Sequence, residues 1–146
     1  LIAFTAVVAL ANHLLSAGLA QAGWKTDRPL QEFFGYANAP FAFLLGIPSK
    51  DVLAVGQILG ERIVLNEFIG YLSLSAQKAS LDERSYLLAT YALCGFANLG
   101  SVAIQIGGIG ALVPVRRADL ARLGLKAMFG GLLACYLTAC IVGILI

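Results

Sequence analysis

Three uncharged stretches constrain this chain more than any other feature. Leu1 to Trp24 carries no Asp, Glu, Lys or Arg, and neither do Ser85 to Val115 or Ala127 to Ile146. A helix needs about 20 apolar residues to cross the hydrocarbon core of a bilayer, and each stretch reaches that length. Three such runs within 146 residues are hard to keep in water. The composition agrees, with 60% of residues hydrophobic and 12% charged, where a soluble domain carries about 25% charged residues. Mean hydropathy is +0.86. The chain therefore reads as an all-α polytopic membrane protein. Its net charge of +2 is small and scattered, which argues against a nucleic-acid partner.

The chain opens inside an apolar run and without Met, so it reads as part of a longer protein. Ala20-Gln21-Ala22 mimics a signal cleavage site, but no basic segment precedes it. Residues 1–23 are expected to form a transmembrane helix. In 24–51, Pro29 suits the first position of a helix, and Pro40 and Gly46 are expected to break up Leu30 to Gly46. An interfacial helix with polar links fits this segment, its Trp24, Phe33, Phe34 and Tyr36 at headgroup depth. Pro48 to Asp51 reads as a turn with a helix cap.

In 52–77, Glu61-Arg62 and Asn66-Glu67 interrupt two apolar halves, neither long enough to cross alone. Two short helices meeting at a polar tip would make a re-entrant hairpin, a backbone break that survives only where protein or a wet cavity covers it. One continuous span with a buried Glu is the alternative. In 78–115, a polar loop precedes a run crowded with glycine, where Gly95 to Ser101 suggests a discontinuous helix at mid-depth. In 116–146, Arg116, Arg117, Arg122 and Lys126 mark a basic loop before the last span. The positive-inside rule places the Arg116–Lys126 loop in the cytoplasm and the C-terminus outside. Gly131 with Cys135, and Ala134 with Thr138, are small residues spaced for close helix packing.

Glu67 is the sharpest chemical signal. An ionised carboxylate in hydrocarbon costs several kcal/mol and needs a partner or a wet cavity. It is either functional or shielded by another helix, with Arg62 as one candidate partner. Asn98 and Ser101, three residues apart, fall on one face if the helix persists there. With Glu67 they form a donor and acceptor set suited to a polyhydroxylated ligand. Thr90 is expected to bond back to its own helix, Gln105 to bridge helices, and His13 to serve in packing or at the interface. Cys94, Cys135 and Cys140 form no CxxC pair and read as small packing residues. Gly107-Gly108-Ile109-Gly110 lacks the context of a dinucleotide fingerprint. One His with no nearby acid leaves no hydrolytic triad, so no enzyme is expected.

Asn66-Glu67-Phe68, the run Thr90 to Asn98, Gly100-Ser101, Ile104 to Gly110 and Pro114 to Arg117 together resemble the concentrative nucleoside transporter family, in its C-terminal portion. The resemblance implies the second inverted repeat of a homotrimeric transporter in the cell (inner or plasma) membrane. It implies a scaffold helix at 1–23, the hairpin at 52–77 and an unwound helix at Ser85 to Pro114. By the same resemblance Glu67, Asn98 and Ser101 would hold the ribose and Phe96 would lie by the base. The function implied is cation-coupled nucleoside symport, driven by Na+ or H+. The coupling cation and further base contacts would sit in an N-terminal part outside this chain, and no other cofactor is implied. A non-transporting membrane structural or assembly subunit is the alternative, and would require protein partners alone to satisfy Glu67.

Overall fold

The structure is a computed structural model describing residues 2–146, with Phe4 as backbone only. Among the described residues it is wholly helical. The elements are α1 (Ile2–Gln21), α2 (Pro29–Leu44), α3 (Val52–Val64), α4 (Glu67–Ala76), α5 (Glu83–Leu93), α6 (Leu99–Leu112) and α7 (Arg117–Leu145), with one 3-10 turn at Pro114–Arg116 ahead of α7. The stretch Pro114–Leu145, with a mean hydropathy of 2.1 in its most apolar window, is long and apolar enough to cross a membrane by itself.

α2 starts at Pro29 and is tied to α1 by Asn12. The buried Asn12 amide donates to Gln31 Oε1 at 2.9 Å, and its Oδ1 accepts from Leu30 N at 3.1 Å. That second bond satisfies an orphan N–H of the first turn of α2. Pro40 does not break α2, contrary to the sequence expectation. Its ring removes one hydrogen bond, a cost of about 3 kcal/mol in isolation, but α2 lies closely along α3, and that packing keeps the helix continuous. A Cβ on Gly60 would come within 2.5 Å of Gly35 N, and one on Gly56 within 2.9 Å of Gly35 O. The three glycines let the two backbones touch, as small residues do in membrane helix pairs. Gly46 ends α2 at φ +84, with its N–H bonded to Phe43 O and that of Ile47 to Ala42 O. This is a Schellman stop, for which glycine is suited.

α3 and α4 double back on each other as a helical hairpin, with Gly70 against Arg62 and Ile58 and with Ser73 Oγ donating to Glu61 Oε2. Asp51 stands at the N-cap of α3 but makes no cap bond. Its carboxylate instead accepts from Ser85 Oγ at 2.6 Å and Asp82 N at 2.9 Å, joining the start of the hairpin to the start of α5. Here the expected cap is corrected: a hydroxyl and a free amide from α5 outcompete the local N–H groups.

The expected loop at Arg116–Lys126 is also corrected, because Arg117–Lys126 forms the first turns of α7. The segment lacks Pro, and Asp119 pairs with both Arg116 (3.0 Å) and Arg122 (3.5 Å) at helical spacing. Charge had marked where an apolar span stops, which is not where a helix stops. On α7 the buried stripe is Met128, Leu132, Tyr136 and Ala139. Ala134 and Thr138 face outward, whereas Gly131 and Cys135 lie against the α5–α6 break. Tyr136 reaches α2, its hydroxyl donating to Asn38 Oδ1 at 2.5 Å. Arg84 donates to Gly143 O at 2.7 Å, placing a cation at the C-terminal end of α7. The core is filled by residues such as Val55, Ile58, Leu59, Leu74, Leu88 and Leu93, while Leu133, Leu137, Ile141 and much of α1 present apolar side chains outward.

Candidate functional site

Two helix interruptions meet in this fold. The first lies at Leu65–Asn66, between α3 and α4. Asn66 is extended and its Oδ1 accepts from Ile69 N at 3.0 Å, so it caps α4. The second lies at Cys94–Asn98, between α5 and α6. Asn98 is extended and its Oδ1 accepts from Ser101 N at 2.7 Å, so it caps α6. Each Asn precedes an apolar run, the position where a side-chain oxygen stabilises free N–H groups best.

This corrects the reading of Asn98 and Ser101 as residues on one helical face. They are the cap and the third residue of α6, linked by the cap bond itself. The structure does bring Glu67 to them. Glu67 opens α4, partly buried, and Asn98 Nδ2 donates to its Oε2 at 3.1 Å. Asn98, 2% exposed, is therefore the hinge of the set, holding Ser101 with its oxygen and Glu67 with its nitrogen. The carboxylate stands in the first turn of α4 and is reached by the capping residue of α6. Arg62, the alternative partner, does not pair with Glu67.

Phe96 sits inside the second break and is 79% exposed. It borders an open groove of about 820 Å³ between α6 and α7, with Ser101, Gln105, Ile106, Met128 and Cys135 among its other walls. The groove is mainly apolar, and Ser101 links it to the polar trio. The arrangement can accept hydrogen bonds at Glu67 and exchange them at the Ser101 hydroxyl. A flat ring can lie against Phe96.

Thr90 bonds back to Tyr86 O at 2.8 Å, as its place in a helix suggested. Gln105 is exposed on the groove and bonds to no other helix among the described residues. His13 is exposed and borders a separate cavity of about 410 Å³ with Asn12, Ser16, Asp27, Arg28 and Gln31. Among the described residues, no three His, Cys, Asp or Glu side chains gather as a metal ion would need.

The sequence reading missed one cluster. Arg62 is fully buried and donates to Ala92 O at 2.7 Å, Gly95 O at 3.1 Å and Cys135 Sγ at 3.2 Å. Cys135 donates in turn to Cys94 O at 3.1 Å. Cys135 is therefore a polar link to the break, more than the packing residue it resembled. An arginine inside an apolar run carried a warning as clear as that of Glu67.

Comparison with known proteins supplies the family. Residues 1–143 match the family model described as Na+ dependent nucleoside transporter C-terminus. The chain is 40% identical over its full length to an uncharacterized transporter, YutK, of Bacillus subtilis, and covers 36% of that protein. It is 36% identical to human Solute carrier family 28 member 3 over 99% of its own length and 23% of that protein. It is 38% identical to rat Sodium/nucleoside cotransporter 1, again over 99% of itself and 24% of the relative. Among solved structures, a variant of CNTnw in the intermediate 2 state superposes with a TM-score of 0.90 at 34% identity, covering 99% of this chain and 36% of that one. CNTnw in an inward-facing substrate-bound state gives 0.81 at 34% identity, covering 97% and 35%. The chain thus spans about a third or less of these proteins. By family match and by fold, it belongs to the Na+-dependent nucleoside transporters, a family of membrane transporters and not of enzymes, and corresponds to their C-terminal part.

Proposed function

We propose that the protein containing this chain is a cation-coupled nucleoside symporter, and that this chain grips the ribose. The observation that carries the proposal is the Glu67–Asn98 hydrogen bond, made where two capped half-helices meet inside an apolar protein. A ribose presents adjacent hydroxyls. Glu67 accepts from them, the Asn98 amide holds the carboxylate in place, and the Ser101 hydroxyl completes the grip. Phe96, beside the groove, packs against the base. Binding at interrupted helices keeps the backbone breaks covered and lets them open alternately to either side, with the hairpin and the broken helix moving past α1.

Rat Sodium/nucleoside cotransporter 1 is named for sodium, and the proposal covers coupling to Na+ or to H+. The basic start of α7 faces the cytoplasm under the positive-inside rule. The complete protein is proposed to work as a homotrimer.

The test is uridine uptake by the full-length protein carrying Glu67→Gln, measured beside surface expression. A charge-assisted hydrogen bond contributes about 1.5–3 kcal/mol, so apparent affinity should fall by roughly tenfold to a hundredfold with expression intact. Unchanged uptake would sink the ribose assignment. Replacing Na+ with choline across a pH series identifies the driving ion.

A further inference from the structure

We infer that Arg62 is a positioning residue that clamps the broken helix to the hairpin, so that Phe96, Asn98 and Glu67 travel as one body. The inference rests on the nucleoside reading for its purpose but on geometry for its substance.

A fully buried guanidinium is costly unless its donors are used. Arg62 forms no ion pair, since the pairs among the described residues involve Arg28, Lys50, Arg116 and Arg122. Its acceptors are backbone carbonyls at the end of α5. The chain leaves helical geometry at Cys94, whose N–H turns to Tyr91 O. From there on, carbonyls such as Ala92 O and Gly95 O lack the amides that a continuing helix would supply. Arg62 supplies N–H groups to both, from a side chain on a different element. Its charge also meets the negative end of α5.

The clamp has a third arm. Cys135 of α7 accepts from Arg62 and donates to Cys94 O, so α7 closes the break from its far side. The approach is close, since a Cβ on Gly95 would lie 2.6 Å from Cys135 Sγ. Arg62 Nε is buried without a hydrogen-bond partner among the described residues. Arg62 and Glu67 flank the tip of the same hairpin, and Ala92, Gly95 and Asn98 bracket the same break. Polar contacts at Glu67–Asn98 and at Arg62 join these units at the break, and Tyr71 of α4 adds a third farther along, donating to Thr90 O at 3.0 Å. With these made, the hairpin tip cannot shift without carrying the break along.

The experiment uses the full-length transporter with Arg62→Met, Arg62→Lys and Cys135→Ala. Hydrogen–deuterium exchange is read over Cys94–Asn98 without nucleoside, and uridine KM and maximal rate are read per surface copy. Arg62→Met should raise exchange at the break and uridine KM about tenfold or more, since small displacements at a site cost that much. Arg62→Lys should recover part of both. A role in folding alone would lower the amount of protein and leave KM and local exchange unmoved, and that result overturns the clamp. If Arg62→Met does not fold, Cys135→Ala decides: exchange rising severalfold at the break supports the clamp, and wild-type exchange overturns it. Failure of the wild type to take up uridine would sink the nucleoside reading, while the exchange data still decide the clamp.

Discussion

Asn66 and Asn98 occupy matching positions but carry different duties, and substitution separates them. Asn66 uses its oxygen as a cap. Asn98 uses its oxygen as a cap and its nitrogen to hold Glu67. Asp keeps a cap acceptor, whereas Ala removes it at a cost of about 0.5–2 kcal/mol. Asn66→Asp should therefore leave thermal stability and uridine affinity near wild type. Asn98→Asp should keep the cap yet set one carboxylate against another, weakening uridine binding by tenfold or more on the scale of a lost charged hydrogen bond, about 1.5–3 kcal/mol. Equal effects of the two Asp variants would refute this division of labour.

Asp51 gives a pH dependence whose sign is fixed. Burial pushes its carboxyl up, but the Ser85 hydroxyl, the Asp82 amide and nearby Lys50 together hold it below the usual carboxylate range. Its stabilising contribution is therefore complete above about pH 4, the ordinary value for Asp, and is lost as pH falls through the lower folded value. Thermal unfolding of Asp51→Asn against wild type should show a gap that narrows below that pH. A gap that stays constant down to strongly acidic conditions would contradict it.

Among the elements, the α2–α3 pair depends most on the smallness of its residues. In Gly60→Ala the new Cβ meets the backbone at Gly35 N at 2.5 Å, so the helices must separate. Overpacking of this kind costs about 1–3 kcal/mol, read as a lowered melting temperature of the purified full-length protein. Gly18→Ala, where nothing lies within 4 Å of the added carbon, is the control and should be silent.

This pair also shows what a sequence can reveal. Gly56 and Gly60 stand four apart, yet their role emerges only when Gly35 is placed against them from a separate helix. The break around Gly95 was legible because glycine, amide and hydroxyl crowd one apolar run. The continuity of α2 through Pro40 was not, because tertiary packing overrides a local propensity. The polar trio was legible as residue types, while its wiring through a cap was not. Spacing of three suits a helix face and a cap equally, and only the backbone at Asn98 tells them apart.

For the whole molecule, the apolar exterior and the polar interior divide the work. Much of α1 and the outer face of α7 present apolar side chains outward. Inside are Arg62, Asn98, Asp51 and Ser85, each bonded. Such an inversion suits a lipid surround, where backbone and polar groups must be satisfied from within. The fold class followed from composition because that demand acts on every residue. The site needed the fold because it joins α4 to α6 and α7, which lie apart in the chain.

α7 is the longest helix among the described residues and is uninterrupted. The broken helix α5–α6 packs along it, and it runs 29 residues without a gap, about 43 Å at 1.5 Å per residue. The hydrocarbon it must cross is about 30 Å thick, so its basic beginning overhangs as a rigid extension of the span. Stiffness and chemistry are thus assigned to different helices: the cut ones supply the grip, and α7 serves as the mast against which the broken helix is stepped.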